Sequence, residues 1–203
     1  MRARDIMTSP VIAVRADTPV QEAAAVLAER GFTALPVLGD DDRLIGIVTE
    51  ADLVADRFPR DPRSLIHGEP TTVDTPVPET VGEVMSTPVS AMGPGADLAD
   101  LTRALLDARQ RCMPIVDGSR LIGVVTRRDL VRVVGRDDAT IARDVRHKLE
   151  IYGGPDRWDV DVRRGVVTIG DRHGDETDRH VATALAEAVP GVVRARMSEG
   201  STP

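Results

Sequence analysis

Aromatic residues are scarce in this sequence, at 2% of its 203 residues. Its cores must therefore be built from aliphatic side chains, and the stacked aromatic platforms that hold single-stranded nucleic acid are not to be expected. Basic residues are outnumbered as well, because 26 lysines and arginines stand against 33 aspartates and glutamates, for a formal net charge of −7. A phosphate-backbone binder needs a basic face, so we expect no nucleic-acid partner.

Cysteine is nearly absent too, since Cys112 is the single one and no intrachain disulfide can form. This fits a reducing compartment. No apolar run approaches the roughly 20 residues of a membrane helix, and the residues before Pro10 lack the apolar region of a signal peptide. We therefore expect a cytoplasmic protein, with Cys112 as a buried apolar residue and a redox switch as the alternative role.

Catalytic and metal-binding patterns are also missing. The four histidines show no close ligand spacing and no second cysteine exists, so we expect no metal site. No nucleophile elbow, phosphate-binding loop or Ser/His/Asp set is present, and the repeats described below offer no evident general base. The sequence predicts a protein that is not an enzyme.

What the sequence does have is an internal repeat. RLIGIVTEADLV at residues 43–54 returns as RLIGVVTRRDLV at 120–131, with nine of twelve letters identical. DIMTSPVIAV at 5–14 likewise matches EVMSTPVSAM at 83–92, and ALPVLGDDDRLIG at 34–46 matches CMPIVDGSRLIG at 112–123. The copies differ by one residue in a turn, where GDDD becomes DGS. Two copies of one fold tolerate such a change there.

Each copy predicts the order β-α-β-β-α. In the first copy we expect strands at 11–14, 35–38 and 44–48, a helix with Thr18 as its N-cap and Gly31 at its end, and a short helix at 50–56. In the second copy we expect strands at 89–92, 113–116 and 121–125 and helices at 98–109 and 127–134. Residues 59–80, rich in proline and polar residues, are interpreted as a linker.

The residues after Gly135 have a different pattern. Ile141, Val145 and Leu149 repeat every fourth position, which predicts an amphipathic helix. Alternating valines before and after Arg164-Gly165 predict a hairpin, followed by a helix at 181–189 and a strand at 192–197. This is the order α-β-β-α-β of a small α+β unit, in which no residue stands out as a binding residue.

The repeated Thr-x-x-Asp of the two copies allows two interpretations. Thr49 with Asp52, and Thr126 with Asp129, have the spacing of a helix capping box, which is common at helix starts. A helix N-terminus is also a natural phosphate site, where the threonine hydroxyl adds a hydrogen bond and the aspartate accepts from sugar hydroxyls. Both roles can coexist.

The two copies resemble a tandem pair of cystathionine-β-synthase (CBS) domains, a Bateman module, through DIMTSPV/EVMSTPV, ALPV/CMPI and GIVTEADL/GVVTRRDL. The resemblance implies repeats at residues 1–58 and 81–136 that pack by pseudo-twofold symmetry through their sheets. It also implies adenine-nucleotide sites in two clefts, with the aspartate on ribose and the threonine near phosphate. One cleft would use Thr49 and Asp52 with Pro88, Val89, Arg111, Cys112 and Met113. The other would use Thr126, Arg127, Arg128 and Asp129 with Pro10, Val11, Thr33, Ala34 and Leu35.

The charge at the two sites differs. Glu50 follows Thr49, whereas Arg127 and Arg128 follow Thr126, so an anionic ligand is opposed in the first cleft and favoured in the second. Arg111 is placed to offset Glu50. We expect unequal sites, with the second cleft preferring phosphorylated ligands, unless its two arginines are merely solvated surface charges.

Residues 137–198 resemble a BON domain, through the first helix, VDVRRGVVTIG and the closing PGVVRARM. That family is associated with phospholipid or envelope surfaces, while protein contact or ligand sensing is equally open. Together the resemblances predict a sensor of AMP, ADP, ATP or S-adenosylmethionine that signals through the tail to an unknown protein partner, as a homodimer. The alternative is a ligand-free dimerisation scaffold whose tail binds a protein or membrane surface.

Overall fold

The computed structural model describes residues 1–55, 57–58, 76–107, 110–173 and 176–198. Most of the predicted linker therefore lies outside the described residues. The fold is α+β, and the chain divides into two compact units. The repeat unit comprises Thr8–Gly93 and Leu105–Val124, and the second unit, called the tail unit, comprises Met1–Met7, Pro94–Ala104 and Val125–Pro203. The tail itself denotes only residues 137–198 of that unit.

The first repeat is built around a three-stranded sheet in the order β1 (Val14–Arg15), β2 (Ala34–Leu38) and β3 (Leu44–Thr49). The turn GDDD joins β2 and β3 as an antiparallel hairpin, as predicted, and β1 pairs with β2 in parallel. Strand β1 is shorter than expected from residues 11–14, because only its last predicted residue pairs with Val37. The strands and helices of this repeat are β1 (Val14–Arg15), α1 (Val20–Arg30), β2 (Ala34–Leu38), β3 (Leu44–Thr49) and α2 (Glu50–Val54).

Helix α1 begins at Val20, one residue later than a Thr18 N-cap predicts. Thr18 does not cap it, because the Thr18 hydroxyl accepts a hydrogen bond from the Arg15 backbone N–H at 3.0 Å. Pro19 is the N-cap, and the Val20 N–H donates to the Glu79 carbonyl at 2.9 Å. The predicted end is confirmed, since Gly31 has φ +63, a conformation that favours glycine.

The second repeat differs from the first at its start. No strand forms at 89–92, so that prediction was wrong. Met92 alone pairs with β4 (Cys112–Asp117), through backbone hydrogen bonds of 2.9–3.0 Å to Val116 and Pro114. Its elements are α3 (Val81–Val84), α4 (Leu98–Asp107), β4 (Cys112–Asp117), β5 (Arg120–Thr126) and α5 (Arg127–Val134), with β4 and β5 forming a two-stranded sheet.

The tail has the predicted order α-β-β-α-β. Its sheet has the strand order β6 (Trp158–Arg163), β7 (Val166–Asp171) and β8 (Arg194–Met197). Strand β6 is antiparallel to β7, and β8 is parallel to β7. Its second helix starts earlier than predicted and its last strand later. The elements are α6 (Asp138–Gly153), β6 (Trp158–Arg163), β7 (Val166–Asp171), α7 (Glu176–Glu187) and β8 (Arg194–Met197).

The tail core confirms the predicted helical face. Ile141, Val145 and Leu149 are at most 1% exposed and pack on one side of the sheet with the inward residues of its strands and with Ala182 and Ala186 of α7. Both helices thus contribute to one core. Among the described residues, no helix adds side chains to this core from the opposite side of the sheet.

A buried ion cluster closes one end of the tail. The Asp171 side chain is fully buried and accepts from Arg157 Nε at 3.1 Å, while Arg157 Nη1 lies 2.6 Å from Asp178. The Arg157 guanidinium also stacks over Trp158, 4.5 Å from the ring centroid. The Tyr152 hydroxyl donates to Asp178 at 2.7 Å, and this bond, with Arg157, lowers the pKa of Asp178 below its usual value.

Candidate functional site

Thr49 and Asp52 form the capping box that their spacing predicts. Thr49 has extended backbone at the end of β3 and is the N-cap of α2. Oδ2 of Asp52 accepts from the Thr49 backbone N–H and from the Thr49 hydroxyl, each at 2.8 Å. The Asp52 N–H in turn lies 3.4 Å from the Thr49 hydroxyl oxygen. The capping interpretation is confirmed for the first repeat.

Capping uses only half of the Asp52 carboxylate. Within the part of the chain that the structure describes, Oδ1 of Asp52 accepts no hydrogen bond. The residue is half-buried at the start of α2. A carboxylate with one oxygen fixed and the other open is oriented to accept from a ligand hydroxyl without disturbing the helix start.

Glu50 is paired across the repeats with Arg111, as the charge pattern predicts. Arg111 Nη1 lies 2.9 Å from Oε2 of Glu50, and both side chains are about half exposed, at 52% and 49%. Such an exposed pair adds little stability. Its effect here is electrostatic, because the guanidinium offsets the negative charge beside the first helix start.

The other residues assigned to the first cleft also lie in the repeat unit. Ile47 of β3 and Ser86, two residues before Pro88, exchange backbone hydrogen bonds at 2.8 and 3.2 Å. Pro88 is exposed and Val89 half-buried, whereas the side chains of Cys112 and Met113 are only 3% and 2% exposed. The buried Cys112 confirms the prediction made for the single cysteine, and the side chains of both residues are part of the core.

Asp129 is held more tightly than Asp52. Its Oδ2 accepts from the Thr126 backbone N–H at 2.8 Å and from the Thr126 hydroxyl at 2.7 Å. Its Oδ1 accepts from Arg132 Nη1 at 3.1 Å, and the residue is 5% exposed. Sequence reasoning missed Arg132, although its position three residues after Asp129 places it on the same helix face. Arg127 and Arg128 are exposed.

The remaining second-cleft residues belong to the repeat unit, whereas Thr126 and Asp129 belong to the tail unit. Their assembly into one cleft stays a prediction. Pro10 and Val11 line a cavity of about 470 Å³, together with residues that sequence reasoning did not single out: Ser9, Ala13, Leu38, Asp42, Arg120, Leu121 and Ile122. Thr33 is exposed and its carbonyl accepts from the Glu50 N–H at 3.3 Å, while Ala34 and Leu35 are buried.

The described residues include no group of three or more histidine, cysteine or acidic side chains placed to hold a metal ion. Among these residues, no helix combines the length and apolar character that crossing a membrane requires.

Comparison with known proteins gives consistent matches. The family model of the CBS domain matches residues 3–56 and 81–136. Hypoxic response protein 1 of Mycobacterium tuberculosis is 31% identical over 130 residues, which cover 64% of this chain and 82% of that protein. The crystal structure of CBSX2, a CBS-pair protein of Arabidopsis thaliana, in complex with AMP is similar with a TM-score of 0.53 at 30% identity, over 64% of this chain and 93% of that chain. The CBS domain pair of protein MJ0100 shares the fold, with a TM-score of 0.52 at 22% identity over 66% of this chain and 96% of that chain.

Proposed function

Because this chain belongs to the CBS domain family, we propose that it is a regulatory protein that binds an adenine nucleotide at the starts of α2 and α5. The observation that supports this proposal is the geometry of the Asp52 carboxylate, which caps the helix with one oxygen and leaves the other open for a ribose hydroxyl. The AMP complex of CBSX2 supports adenine as the base. AMP, ADP, ATP and S-adenosylmethionine are the candidate ligands.

The proposed clefts follow the assignments made from the sequence. Thr49 and Asp52 serve the first cleft, and Thr126 and Asp129 the second. The Glu50–Arg111 pair leaves the first cleft close to neutral. Additional phosphate groups on the ligand therefore gain little binding energy in this cleft. Arg127 and Arg128 give the second cleft the stronger preference for a phosphate chain. A ribose on Asp129 has to displace the Arg132 contact, which weakens binding of the nucleoside part in this cleft.

The signal is proposed to pass from α5 to the tail. Only residues 135–137 separate α5 from α6, and one of them, Arg136, donates to the Pro190 carbonyl at 2.8 Å and pairs with Asp144. Displacement of α5 on ligand binding is therefore transmitted to the tail by side-chain contacts as well as by the chain. The ligand needs different affinities for the two arrangements to cause such a shift.

The tail is the proposed output domain, on its resemblance to a BON domain and on its separate hydrophobic core. It would contact a protein partner, within a cytoplasmic homodimer and without catalytic activity. These assignments rest on the family resemblances and on the composition.

Calorimetric titration of the full chain with AMP, ADP, ATP and S-adenosylmethionine tests the proposal. The informative variants are Asp52→Asn and Asp129→Asn, because asparagine retains an oxygen for the cap and loses the carboxylate charge. The control is Asp100→Asn, on an exposed helical position whose carboxylate pairs only with Arg103 among described residues. We expect saturable binding, with Asp52→Asn weakening AMP most and Asp129→Asn weakening ATP most.

The contrary result identifies the scaffold function. If none of the four compounds gives a heat of binding or changes the melting temperature of the protein, both Thr/Asp pairs only cap helices. Analytical ultracentrifugation of the same samples then shows whether the repeats dimerise without ligand. Vesicle binding by the full chain would assign the membrane-surface role to the tail.

A further inference from the structure

The outward face of the tail sheet is lined by polar and basic side chains. Strand alternation turns Trp158, Val160, Val167 and Ile169 into the core and leaves the intervening residues outside. The strand register places the outward residues in three rows across the sheet. One row holds Arg163, Val166 and Arg194, the next holds Asp161, Thr168 and Arg196, and the last holds Asp159 and Gly170.

Each edge of this sheet already has a backbone group bound to a helix side chain. Arg146 of α6 donates to the Val160 carbonyl of β6 at 3.0 Å, and Glu187 of α7 accepts from the Ala195 N–H of β8 at 3.3 Å. A partner strand would have to displace these contacts to extend the sheet. The outward face is therefore the better placed surface for recognition.

Positive charge is in excess on this face, although the chain has a formal net charge of −7. The cavity on this face is lined by three arginines and one aspartate, which leaves two positive charges in its lining. The neighbouring row adds Asp159, so the face as a whole carries one positive charge in excess. Asp161 pairs with Arg163 at 3.0 Å. Arg196 Nε lies 3.4 Å from the Thr168 hydroxyl, and the Arg194 guanidinium has no hydrogen bond or ion pair to any described residue.

These side chains surround a cavity of about 580 Å³, with Val166 and the 78% exposed Val193 as apolar walls. Small-molecule sites measure roughly 300–1,000 Å³. The cavity is thus larger than a phosphate group alone requires and has an apolar wall for the rest of a small molecule.

We propose that this arginine face, defined by Arg163, Arg194, Arg196 and Thr168, binds the phosphate group of a soluble phosphomonoester. A phosphomonoester carries about −1.5 to −2 charges at pH 7, which matches the excess of two positive charges in the cavity lining. The two guanidiniums on β8 donate in the forked geometry that phosphate oxygens accept, and the threonine hydroxyl supplies a further donor. The site is independent of the proposed nucleotide clefts and would give the tail its own ligand.

A lipid-borne phosphate fits this face less well. The apolar lining of the arginine face consists of two valines, with no aromatic or leucine side chain to enter a bilayer. The chain's negative net charge also opposes approach to an anionic membrane. A nucleic-acid strand is disfavoured by the same lack of aromatic residues.

The test is titration of the full chain with glycerol 3-phosphate, followed by NMR of backbone amides and arginine Nε–H groups, with glycerol as the uncharged control. We expect saturable shifts at residues 163, 166, 168, 194 and 196. The double variant Arg194→Gln/Arg196→Gln should weaken binding at least tenfold, on the order of 1.4 kcal/mol. Asp161→Asn should strengthen it. The matched control is Arg172→Gln, which removes an exposed arginine outside the lining.

The proposal would be overturned by the absence of saturable shifts, by equal weakening in Arg172→Gln, or by binding to phosphatidic acid vesicles without binding of glycerol 3-phosphate. The same titration in the Asp52→Asn/Asp129→Asn variant separates this site from the clefts. Retained binding there supports the arginine face whatever the outcome for nucleotides, and loss there would assign the shifts to the clefts.

Discussion

Replacing Asp129 with alanine is expected to destabilise the ligand-free protein about twice as much as replacing Asp52. Each carboxylate accepts two hydrogen bonds from the threonine three residues before it, at 2.7–2.8 Å. Loss of such a cap costs about 1 kcal/mol. Asp129 also pairs with Arg132, whose side chain is 67% exposed, so this pair adds only about 0.2–1 kcal/mol.

Burial adds to the difference between the two sites. Asp129 is 5% exposed, whereas Asp52 is half-buried, so alanine at 129 leaves the Thr126 donors with less access to water. We therefore expect a loss of about 1 kcal/mol for Asp52→Ala and about 2 kcal/mol for Asp129→Ala. The asparagine variants keep one acceptor oxygen and should lose about half as much.

Urea denaturation without nucleotide measures these losses. The single tryptophan, Trp158, lies in the tail core, so its fluorescence follows the tail while far-UV circular dichroism follows all helices. Asp52→Ala should shift the dichroism transition and leave the fluorescence transition in place. Equal losses for the two alanine variants, or losses below about 0.3 kcal/mol, would refute the assignment of the carboxylates as unequal caps.

Further predictions concern the tail, and tryptophan fluorescence measures all three. Asp171→Asn should lower the free energy of unfolding by about 3 kcal/mol, because it leaves Arg157 without its buried carboxylate; a loss under about 1 kcal/mol would contradict this. The hydroxyl of Tyr152 lowers the pKa of Asp178, so this carboxylate stabilises the tail above its ordinary pKa of 3.8, and the stabilisation is lost as pH falls below that value. Asp178→Asn should reduce the fall in the free energy of unfolding at acid pH. An equal fall in the variant and the unchanged protein would contradict the contact between Tyr152 and Asp178. Gly165→Ala should cost about 1–2 kcal/mol, because φ is +73 and the new Cβ would lie 2.9 Å from a carbonyl oxygen; unchanged stability would mean that the turn relaxes.

Features that depend on neighbouring residues could be predicted from the sequence. The capping boxes join residues three apart, and Gly31 ends its helix through its own backbone conformation. The core face of α6 follows from helical periodicity. The pairing of Glu50 with Arg111 was also predictable. The repeat and its family resemblance together indicated which segments face each other.

Features that depend on distant segments required the tertiary structure. Helix α1 begins where the Glu79 carbonyl accepts from Val20, and the segment at 89–92 pairs with β4 through Met92 alone. Local preference is too weak to decide either boundary against such contacts.

The sequence by itself therefore determined the two repeats, the capping boxes of α2 and α5 and the element order of the tail, because these follow from local spacing and periodicity. Only the tertiary structure decided that Arg163 and Arg194 share one row of a sheet face, or that Asp52 keeps an open oxygen while Asp129 does not. Strand register joins residues far apart in the chain, and side-chain geometry selects one partner among several that spacing allows.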